Sequence, residues 1–320
     1  MTPQAPEHEL VEAEVDGRAA LRLVSHDGGL AATVVPSLAM LGWSLEVDGQ
    51  DVLGHPGGVR EYVERGVVTG IPLLHPWANR LGAGRIAGLD AATVDPGSML
   101  VSLDPHGLPI HGLHLLDEGW EVVRREAGAG GAGVTGRLDL AAHADLMAAF
   151  PFPHEIAVAY DLRGDTLTVT TTLRATGDVP VPVSFGWHPY LRLPGVARAE
   201  WQVAMPVRRR AILDELQLPT GEREDVAIPD GPLGDRTYDD EFPVLAEPPV
   251  FALWGGGLRL EVAFGEGYPV GQVYAPERHD VVAFEPMTAE TNALVTGDGL
   301  RRVPPGESFT ATFGVRAART

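Results

Sequence analysis

Short runs in which apolar residues alternate with small or polar ones recur along this chain, separated by turn residues. Apolar residues occupy every second position in 156–162 and again in 167–173, on either side of an Arg-Gly-Asp turn at 163–165. Residues 309–315 have the same period of two, and Asp48-Gly49 separates two further strand-like runs. Such alternation is typical of β-strands with one buried face, and Asp-Gly between runs favours a tight hairpin. The chain is therefore expected to be all-β and largely antiparallel.

Helical signals are sparse, and the pattern does not divide the chain into separate units. One short helical turn is expected within 59–66, and flexible loops are expected over the Gly/Ala-rich segment 127–136 and over 228–238. There is no internal repeat and no strand–helix alternation of the kind that builds a parallel sheet. We therefore predict one domain over residues 1–320, with a flexible tail at 1–8, in which two large antiparallel sheets pack as a sandwich.

The composition excludes several classes of chemistry. The chain has 320 residues, of which 44% are hydrophobic, so it can bury a sizeable core. It contains no cysteine, which excludes disulfides, thiolate metal sites and cysteine nucleophiles. All 24 basic residues are arginine, and the absence of lysine excludes Schiff-base chemistry and a Walker-type phosphate loop.

The charge and the amino terminus bear on partners and location. With 24 basic and 44 acidic side chains, the formal net charge is −20, which disfavours nucleic acid and anionic membrane surfaces as partners. The first 17 residues lack the basic and apolar regions of a secretory signal, and no uncharged stretch is long enough to span a bilayer. We therefore expect a cytoplasmic protein, with monomer and homodimer both left open.

Two potential proton-transfer residues share a local context. His188 and Glu285 each precede a proline and each follow an apolar strand-like run. Because a following proline favours extended backbone, both are expected where a strand ends and its side chain meets an opening. Imidazole exchanges protons near neutral pH, and partial burial would raise the pKa of the glutamate toward the range of a general base. A hydrogen-bonded histidine and a solvent-facing carboxylate remain the structural alternatives.

Further polar residues lie in uncharged or aromatic surroundings. His75 and His111 are flanked by apolar residues and prolines, and each could be a proton donor or simply a core histidine. Asn79-Arg80 follows a Pro-Trp-Ala segment, and the planar guanidinium could bind substrate oxygens or pair with a carboxylate. Asp239, between Tyr238 and a further acid, could accept hydrogen bonds from vicinal hydroxyls, although an acidic loop is usually a solvated surface.

A metal site is the competing interpretation of the histidines. His106, His111, His114 and Glu118 are residue types that bind divalent transition metals. On a strand, however, positions 111 and 114 point to opposite faces, and the intervening glycine and proline residues disfavour a helix. We therefore predict no metal site.

Several motifs, taken in order, resemble the aldose 1-epimerase (galactose mutarotase) family. The segment PWANRLGAGRI at 76–86 is similar to its Asn-Arg-x-x-x-Gly-Arg motif, and PIHGL at 109–113 to its His-Gly motif. FPFPHEIAVAYDL at 150–162 resembles a strand entry of the family, and GWHPYLRLPG at 186–195 its His-Pro-Tyr-Phe-x-Leu signature, with leucine in place of phenylalanine. TYDDEF and VVAFEPMTAETNAL, at 237–242 and 281–294, resemble its acidic and glutamate segments, so the resemblance runs from about residue 30 to 316.

The resemblance implies a fold, a reaction and a set of site residues. It implies a galactose mutarotase-like supersandwich that interconverts the α and β anomers of a free aldohexose without metal or cofactor. Glu285 would then remove the proton of the C1 hydroxyl while His188 protonates the ring oxygen, after which the roles reverse. Arg80, His111, Asp239 and Asn79 would bind the sugar.

Two other functions remain open at this stage. One is a hexose-6-phosphate 1-epimerase of the same fold, which would require two or more arginines to converge at the cleft. The other is a sugar-binding protein without catalysis, against which the presence of both His188 and Glu285 argues. The choice of sugar, and any part for His75 and His114 in the site, do not follow from the sequence.

Overall fold

A computed structural model describes residues 8–87, 100–116 and 119–320 of the chain. In the first part of these ranges the strands are β1 His8–Val15, β2 Arg18–Ser25, β3 Leu30–Val35, β4 Leu41–Val47, β5 Gln50–Asp51, β6 Leu73–Leu74, β7 Val101–Leu103, β8 Pro109–Leu113, β9 Glu121–Gly128, β10 Gly131–Asp139, β11 His154–Arg163, β12 Thr166–Ala175, β13 Val181–Val183 and β14 Gly186–Trp187. The remaining strands are β15 Tyr190–Leu191, β16 Gln202–Ala204, β17 Val207–Leu213, β18 Pro219–Asp225, β19 Gly231–Pro232, β20 Tyr238–Phe242, β21 Val244–Leu245, β22 Val250–Gly255, β23 Leu258–Phe264, β24 Val270–Ala275, β25 Val282–Met287, β26 Arg301–Val303 and β27 Ser308–Arg319.

Helices are short and few in the part of the chain that the structure describes. They are α1 Gly58–Arg65, α2 Ala144–Ala149 and α3 Ala293–Thr296, together with 3-10 turns at Leu140–Ala142 and Arg198–Glu200. Among these described segments, none is a helix of the length and apolar character needed to cross a lipid bilayer.

Two large sheets form the layers that matter for function. One has nine strands in the order β19-β16-β22-β23-β27-β12-β11-β10-β9. The other runs β20-β24-β25-β14-β6, with β15 also paired to β25. Strands β1 to β5 form a third sheet in sequential order, and β18-β17-β21, β13-β26 and β7-β8 form small additional sheets. Neighbouring strands in the large sheets run antiparallel.

Aromatic side chains fill the space between the two large sheets. The Trp187 ring, from β14, lies 5.8 Å from that of Phe313 in β27, and its indole N–H donates to Thr171 Oγ1 at 3.0 Å. The Phe284 ring in β25 packs 5.2 Å from that of Phe251 in β22. Complete burial of each such ring contributes on the order of 2–3 kcal/mol. The predicted all-β sandwich is thus confirmed, and its core fixes one face of β25.

Individual predictions can be compared with these elements. The predicted hairpin is β11–β12, with Ile156 opposite Leu173, and Asp48-Gly49 joins β4 to β5 as expected. The expected helical turn within 59–66 corresponds to α1. Residues 1–7 of the expected tail lie outside the described residues, and His8 is the first residue of β1.

The expectation of a flexible loop over 127–136 is wrong. These residues belong to the hairpin of β9 and β10, paired across Gly131 and Gly128. Close packing accounts for Gly133 and Gly136, because a Cβ there would lie 2.6 Å from Asp161 Oδ1 or 2.1 Å from Met40 Sδ. Tertiary contact with β10 therefore outweighs the low strand preference of glycine.

Candidate active site

A pocket of about 410 Å³ opens on the face of β25 that points away from the sandwich core. The structure brings all six sequence-predicted site residues together in its wall: Asn79, Arg80, His111, His188, Asp239 and Glu285. They come from positions up to about two hundred residues apart, so the folded sheets, rather than any local motif, assemble this pocket.

Strand alternation selects which side chains face the pocket. In β25, Phe284 packs toward the nine-stranded sheet, so Glu285 points to the opposite side. Gln272 of β24 lies directly opposite Glu285 in the ladder, and Tyr274 lies on the same face two residues further on. Asp239 of β20 pairs with Tyr274 across the next ladder. Three adjacent strands thus present a polar row on a sheet whose other face is apolar.

The prediction that Glu285 lies at a strand end is wrong, because Glu285 lies within β25. A proline is tolerated after it because the far edge of β25 is paired only at its two ends, with Tyr190 opposite Ala283 and Gly186 opposite Met287. His188 falls in the gap between these two pairs, directly after β14, as expected. The gap places both side chains at the floor of the pocket.

His188 and Glu285 are in direct contact. Nε2 of His188 lies 3.1 Å from Oε1 of Glu285, and their side chains are 3% and 2% exposed. Burial raises the pKa of Glu285 well above its usual range, an effect that Asp239 increases and Arg80 opposes. Burial, together with the neighbouring His111, lowers the pKa of His188 well below its usual range. The two groups are therefore a buried pair that favours zero net charge.

Aromatic neighbours fix the orientation of the His188 ring. Tyr190 stacks on it with ring centroids 4.2 Å apart and 21° between the planes. The rings of His111 and Tyr274 approach its edges at 5.5 and 5.6 Å. With three rings around it, the imidazole has little freedom to turn Nε2 away from Glu285.

Arg80 connects the pocket wall to a buried carboxylate. Its Nε donates to Asp104 Oδ2 at 2.8 Å, its Nη1 donates to the Asn79 side chain at 3.2 Å, and its Nη2 donates to Asp239 Oδ2 at 3.3 Å. Gln272 Nε2 donates to the other oxygen of Asp239 at 2.8 Å. Asp239 is therefore held from two sides while its side chain stays 42% exposed to the pocket.

The backbone that carries Asn79 and His111 is strained. Both residues have positive φ, 54° and 65°, which is uncommon for residues other than glycine. The strain is held in place because His111 N–H donates to the Asn79 carbonyl at 2.9 Å, and Leu113 N–H donates to the His75 carbonyl at 2.8 Å. Burial, with a smaller contribution from Arg80, lowers the pKa of His111 to about 3, so its imidazole is neutral.

Several pocket residues were not identified from the sequence. Gln272, Tyr190 and Tyr274 line the wall, and Asp104 holds Arg80. A glutamine inside the apolar run of β24 was a usable signal, since a buried amide in a strand requires partners. Asp104 carried no such signal, because its pairing with Arg80 depends on the distant contact between β8 and the segment at 80.

The remaining candidate residues lie elsewhere. His75 donates or accepts one hydrogen bond with His154, with the two Nε2 atoms 2.8 Å apart, inside the sandwich. His114 Nε2 contacts Ser102 Oγ at 2.9 Å, and the exposed His106 contacts Asp104 through its backbone N–H. Glu118 lies outside the described residues. Within those described, no three histidine, aspartate or glutamate residues are grouped as a metal site.

The fold and the pocket define a β-sandwich protein with a buried histidine–glutamate pair in an open polar cleft. Residues 40–316 match the family model described as aldose 1-epimerase. The chain therefore belongs to the aldose 1-epimerase family, and the predicted family resemblance is confirmed.

Solved structures show the same fold across the whole chain. A galactose mutarotase-like protein from Clostridium acetobutylicum is 17% identical with a TM-score of 0.80, covering 98% of this chain and 99% of its own. Galactose 1-epimerase from Lactobacillus acidophilus NCFM is 18% identical with a TM-score of 0.76 and the same two coverages. A protein from Synechocystis sp. PCC 6803 is 23% identical with a TM-score of 0.76, covering 97% and 99%. No curated protein sequence matches the chain significantly.

Proposed function

We propose that the protein is an aldose 1-epimerase that interconverts the α and β anomers of a free hexose. Glu285 is the general base for the C1 hydroxyl and His188 is the general acid for the ring oxygen. Membership of the aldose 1-epimerase family supports the reaction class, and the geometry of the pocket supports the two residues.

The observation that carries the proposal is the 3.1 Å separation of His188 Nε2 and Glu285 Oε1. In a pyranose the C1 hydroxyl oxygen and the ring oxygen are bonded to the same carbon. Two proton-transfer groups one hydrogen-bond length apart can therefore reach both oxygens of a single sugar. One group removes the hydroxyl proton as the other protonates the ring oxygen, and the C1–O5 bond opens to the free aldehyde.

The buried pair holds the single proton that the cycle needs. A neutral glutamic acid beside a neutral imidazole has the same net charge as a carboxylate beside an imidazolium. Moving one proton from Glu285 to His188 therefore produces the working base and acid as an ion pair, without changing the net charge of the buried site. After rotation about C1–C2, the protonated Glu285 and the neutral His188 exchange roles and the ring closes with the other configuration.

The other pocket residues supply hydroxyl recognition. Asp239 accepts hydrogen bonds on an exposed carboxylate, and Arg80 and Asn79 present polar groups beside it. His111 is neutral, so its imidazole can act as a donor at one nitrogen and as an acceptor at the other. Such a mixed set suits a polyhydroxylated ring, in which every hydroxyl is both donor and acceptor.

The test is the optical rotation of freshly dissolved α-D-glucose and α-D-galactose in the presence of a chelator. The wild-type protein should accelerate the approach to anomeric equilibrium, and His188→Asn should lower kcat about a hundredfold because it removes a general acid. His106→Asn is the matched control, since this exposed histidine belongs only to the metal interpretation, and its activity should be unchanged. Acceleration abolished by the chelator would contradict the proposal.

A second candidate, a hexose-6-phosphate 1-epimerase, is favoured by one observation. Arg65 and Arg278 line the same pocket as Arg80, and both are exposed at its rim. Arg65 pairs with Glu61 at 2.7 Å, whereas no ion pair of Arg278 is found among the described residues. Two guanidinium groups beside the opening could bind a phosphate on C6.

The two substrates can be separated by comparing glucose with glucose 6-phosphate. If the phosphate is bound, kcat/KM for glucose 6-phosphate should exceed that for glucose at least tenfold and fall in Arg278→Ala. The control is Arg209→Ala, which removes an arginine that pairs with Asp225 and does not line the pocket. It should leave kcat/KM unchanged for both substrates. Equal kcat/KM values for the two sugars would dismiss the phosphate candidate. Saturable binding of a sugar, with no acceleration of the mutarotation of glucose, galactose or glucose 6-phosphate, would instead indicate a sugar-binding protein.

A further inference from the structure

A second buried carboxyl lies on the pocket strand β20, two residues beyond Asp239. Glu241 is only 1% exposed, and strand alternation places it on the same face as Asp239. In the ladders it lies opposite Gln272, which in turn lies opposite Glu285. Glu241 thus ends the polar row of the pocket face, yet it does not line the pocket and has no part in the proposed reaction.

The contacts of Glu241 connect segments that carry pocket residues. Its Oε2 accepts a hydrogen bond from the Thr291 backbone N–H at 2.6 Å, shortly after the end of β25. The next residue, Asn292, accepts a hydrogen bond on its side-chain oxygen from Gly82 N–H at 2.8 Å. Gly82 lies two residues after Arg80, and Arg80 donates back to Asp239 on β20. These contacts form a closed ring that starts and ends on the same strand.

The backbone at Asn292 is the turn through which this ring passes. Asn292 has φ 68°, a left-handed conformation that asparagine adopts more readily than most residues other than glycine. The hydrogen bond from Thr291 N–H to Glu241 anchors the residue directly before it. Without that anchor, Asn292 can relax and release Gly82, and the Arg80 segment loses one of its fixed points.

We propose that Glu241 is a positioning residue that holds Arg80 and Asp239 in register for substrate binding, an inference that rests on the proposed epimerase function. It acts through Thr291, Asn292 and Gly82 and does not touch the sugar. Its loss should therefore raise KM much more than it lowers kcat.

The charge of Glu241 gives this role a pH dependence. Burial raises its pKa to about 7, an effect that the hydrogen bonds from Thr291 and the charge of Arg223 oppose and Glu290 increases. Arg223 and Glu290 form an ion pair with each other beside it, and Gln272 on the neighbouring strand is neutral. A carboxylate accepts a stronger hydrogen bond than its protonated form. The hydrogen bond from Thr291 N–H to Glu241 should therefore strengthen as the pH rises through about 7.

The experiment measures KM and kcat for mutarotation from pH 6 to 8.5 in wild type, Glu241→Gln and Glu241→Leu. The wild-type KM should fall about threefold from pH 6 to 8.5. Glu241→Gln cannot ionise at this position, so at every pH its KM should equal the higher value that wild type has at pH 6. Glu241→Leu should raise KM about tenfold, with kcat within about threefold of wild type. Glu290→Gln is the matched control, because it changes a neighbouring carboxyl and leaves Glu241 in place. It should retain the KM inflection, shifted to lower pH, since the charge of Glu290 raises the pKa of Glu241.

The outcomes separate this inference from the proposed function. Inactivity of the wild type on both sugars would refute the epimerase proposal. An active wild type whose KM inflection persists unchanged in Glu241→Gln would overturn the positioning role alone. If Glu241→Leu does not fold, as judged by its circular dichroism, the profile of the isosteric Gln variant decides.

Discussion

Replacement of Arg80 by alanine should weaken both the fold and sugar binding, and the structure gives the size of the first effect. The side chains of Arg80 and Asp104 are 10% and 1% exposed, and Asp104 Oδ2 accepts its hydrogen bond from Arg80 Nε. Removing one partner of a buried ion pair costs about 3–5 kcal/mol. In the variant, Asp104 Oδ1 still accepts hydrogen bonds from the backbone N–H groups of His106 and Leu108, both at 2.9 Å. Because the carboxylate remains partly satisfied, we expect the lower value, about 3 kcal/mol.

The contact of Arg80 with Asp239 adds little to this figure. The Asp239 side chain is 42% exposed, and pairs of this kind contribute about 1 kcal/mol or less. Its loss should appear in binding instead, as a raised KM with kcat nearly unchanged, because neither residue transfers a proton in the proposed reaction. Saturation kinetics by polarimetry would measure this effect.

Stability should be measured by urea unfolding followed through tryptophan fluorescence. Burial alone would raise the pKa of Asp104, but hydrogen bonds from Leu108, Arg80 and His106 outweigh it, so the pKa is lowered. A group with a lowered folded-state pKa stabilises above its unfolded pKa, and that contribution is lost as the pH falls. The difference between wild type and Arg80→Ala should therefore be full at pH 7 and shrink below about pH 4.

A double variant provides the control for this reasoning. Asp104→Asn in the Arg80→Ala background removes the uncompensated charge, so part of the lost stability should return, with a coupling of about 1–3 kcal/mol. If Arg80→Ala unfolds within 0.5 kcal/mol of wild type at pH 7, on the order of an ordinary surface change, the buried pair does not stabilise the pocket wall as argued.

Three further changes follow from the geometry. Gly112 has φ 81°, and the Cβ of Gly112→Ala would lie 2.2 Å from the His75 carbonyl oxygen. The variant should therefore have a much lower urea midpoint and no activity, and wild-type stability would contradict the described backbone. Trp187→Phe removes the N–H donor to buried Thr171, so unfolding should cost about 1–2 kcal/mol less, and an unchanged midpoint would refute the contribution of that hydrogen bond. Asp239→Asn removes the charge that Arg80 contacts and that the proposed function assigns to sugar binding, so KM in the polarimetric assay should rise severalfold, and an unchanged KM would exclude Asp239 from binding.

The strands that alternate cleanly could be predicted because one face of each is buried. Residues 156–162 and 167–173 lie in β11 and β12, the two strands of the predicted hairpin. The segment 127–136 could not, since a Cβ at Gly133 or Gly136 would clash with Asp161 or Met40, contacts that only the folded chain brings together. Local composition indicates a loop there, and only the assembled sheets require a strand.

In the candidate site, too, some features could be predicted from the local sequence and others depend on the folded sheets. His188 and Glu285 could be singled out from their chemistry and their following prolines, although the position of Glu285 within β25 could not. That position depends on the gap in pairing between β14 and β15, which is a property of the sheet. Asp104 and Glu241 are connected to the pocket through Arg80 and Thr291, which lie in distant segments, so the residues around them gave no indication of a role.

The most direct test of the account is the rate of α-D-galactose mutarotation by Glu285→Gln, compared with wild type in the presence of a chelator. The substitution keeps the size of the side chain and removes the proton acceptor at the floor of the pocket. We predict a folded variant whose kcat is lower by about a hundredfold or more, because general base catalysis contributes that much. Glu290→Gln should retain full activity. Wild-type kcat in folded Glu285→Gln would show that the buried His188–Glu285 pair does not perform the chemistry.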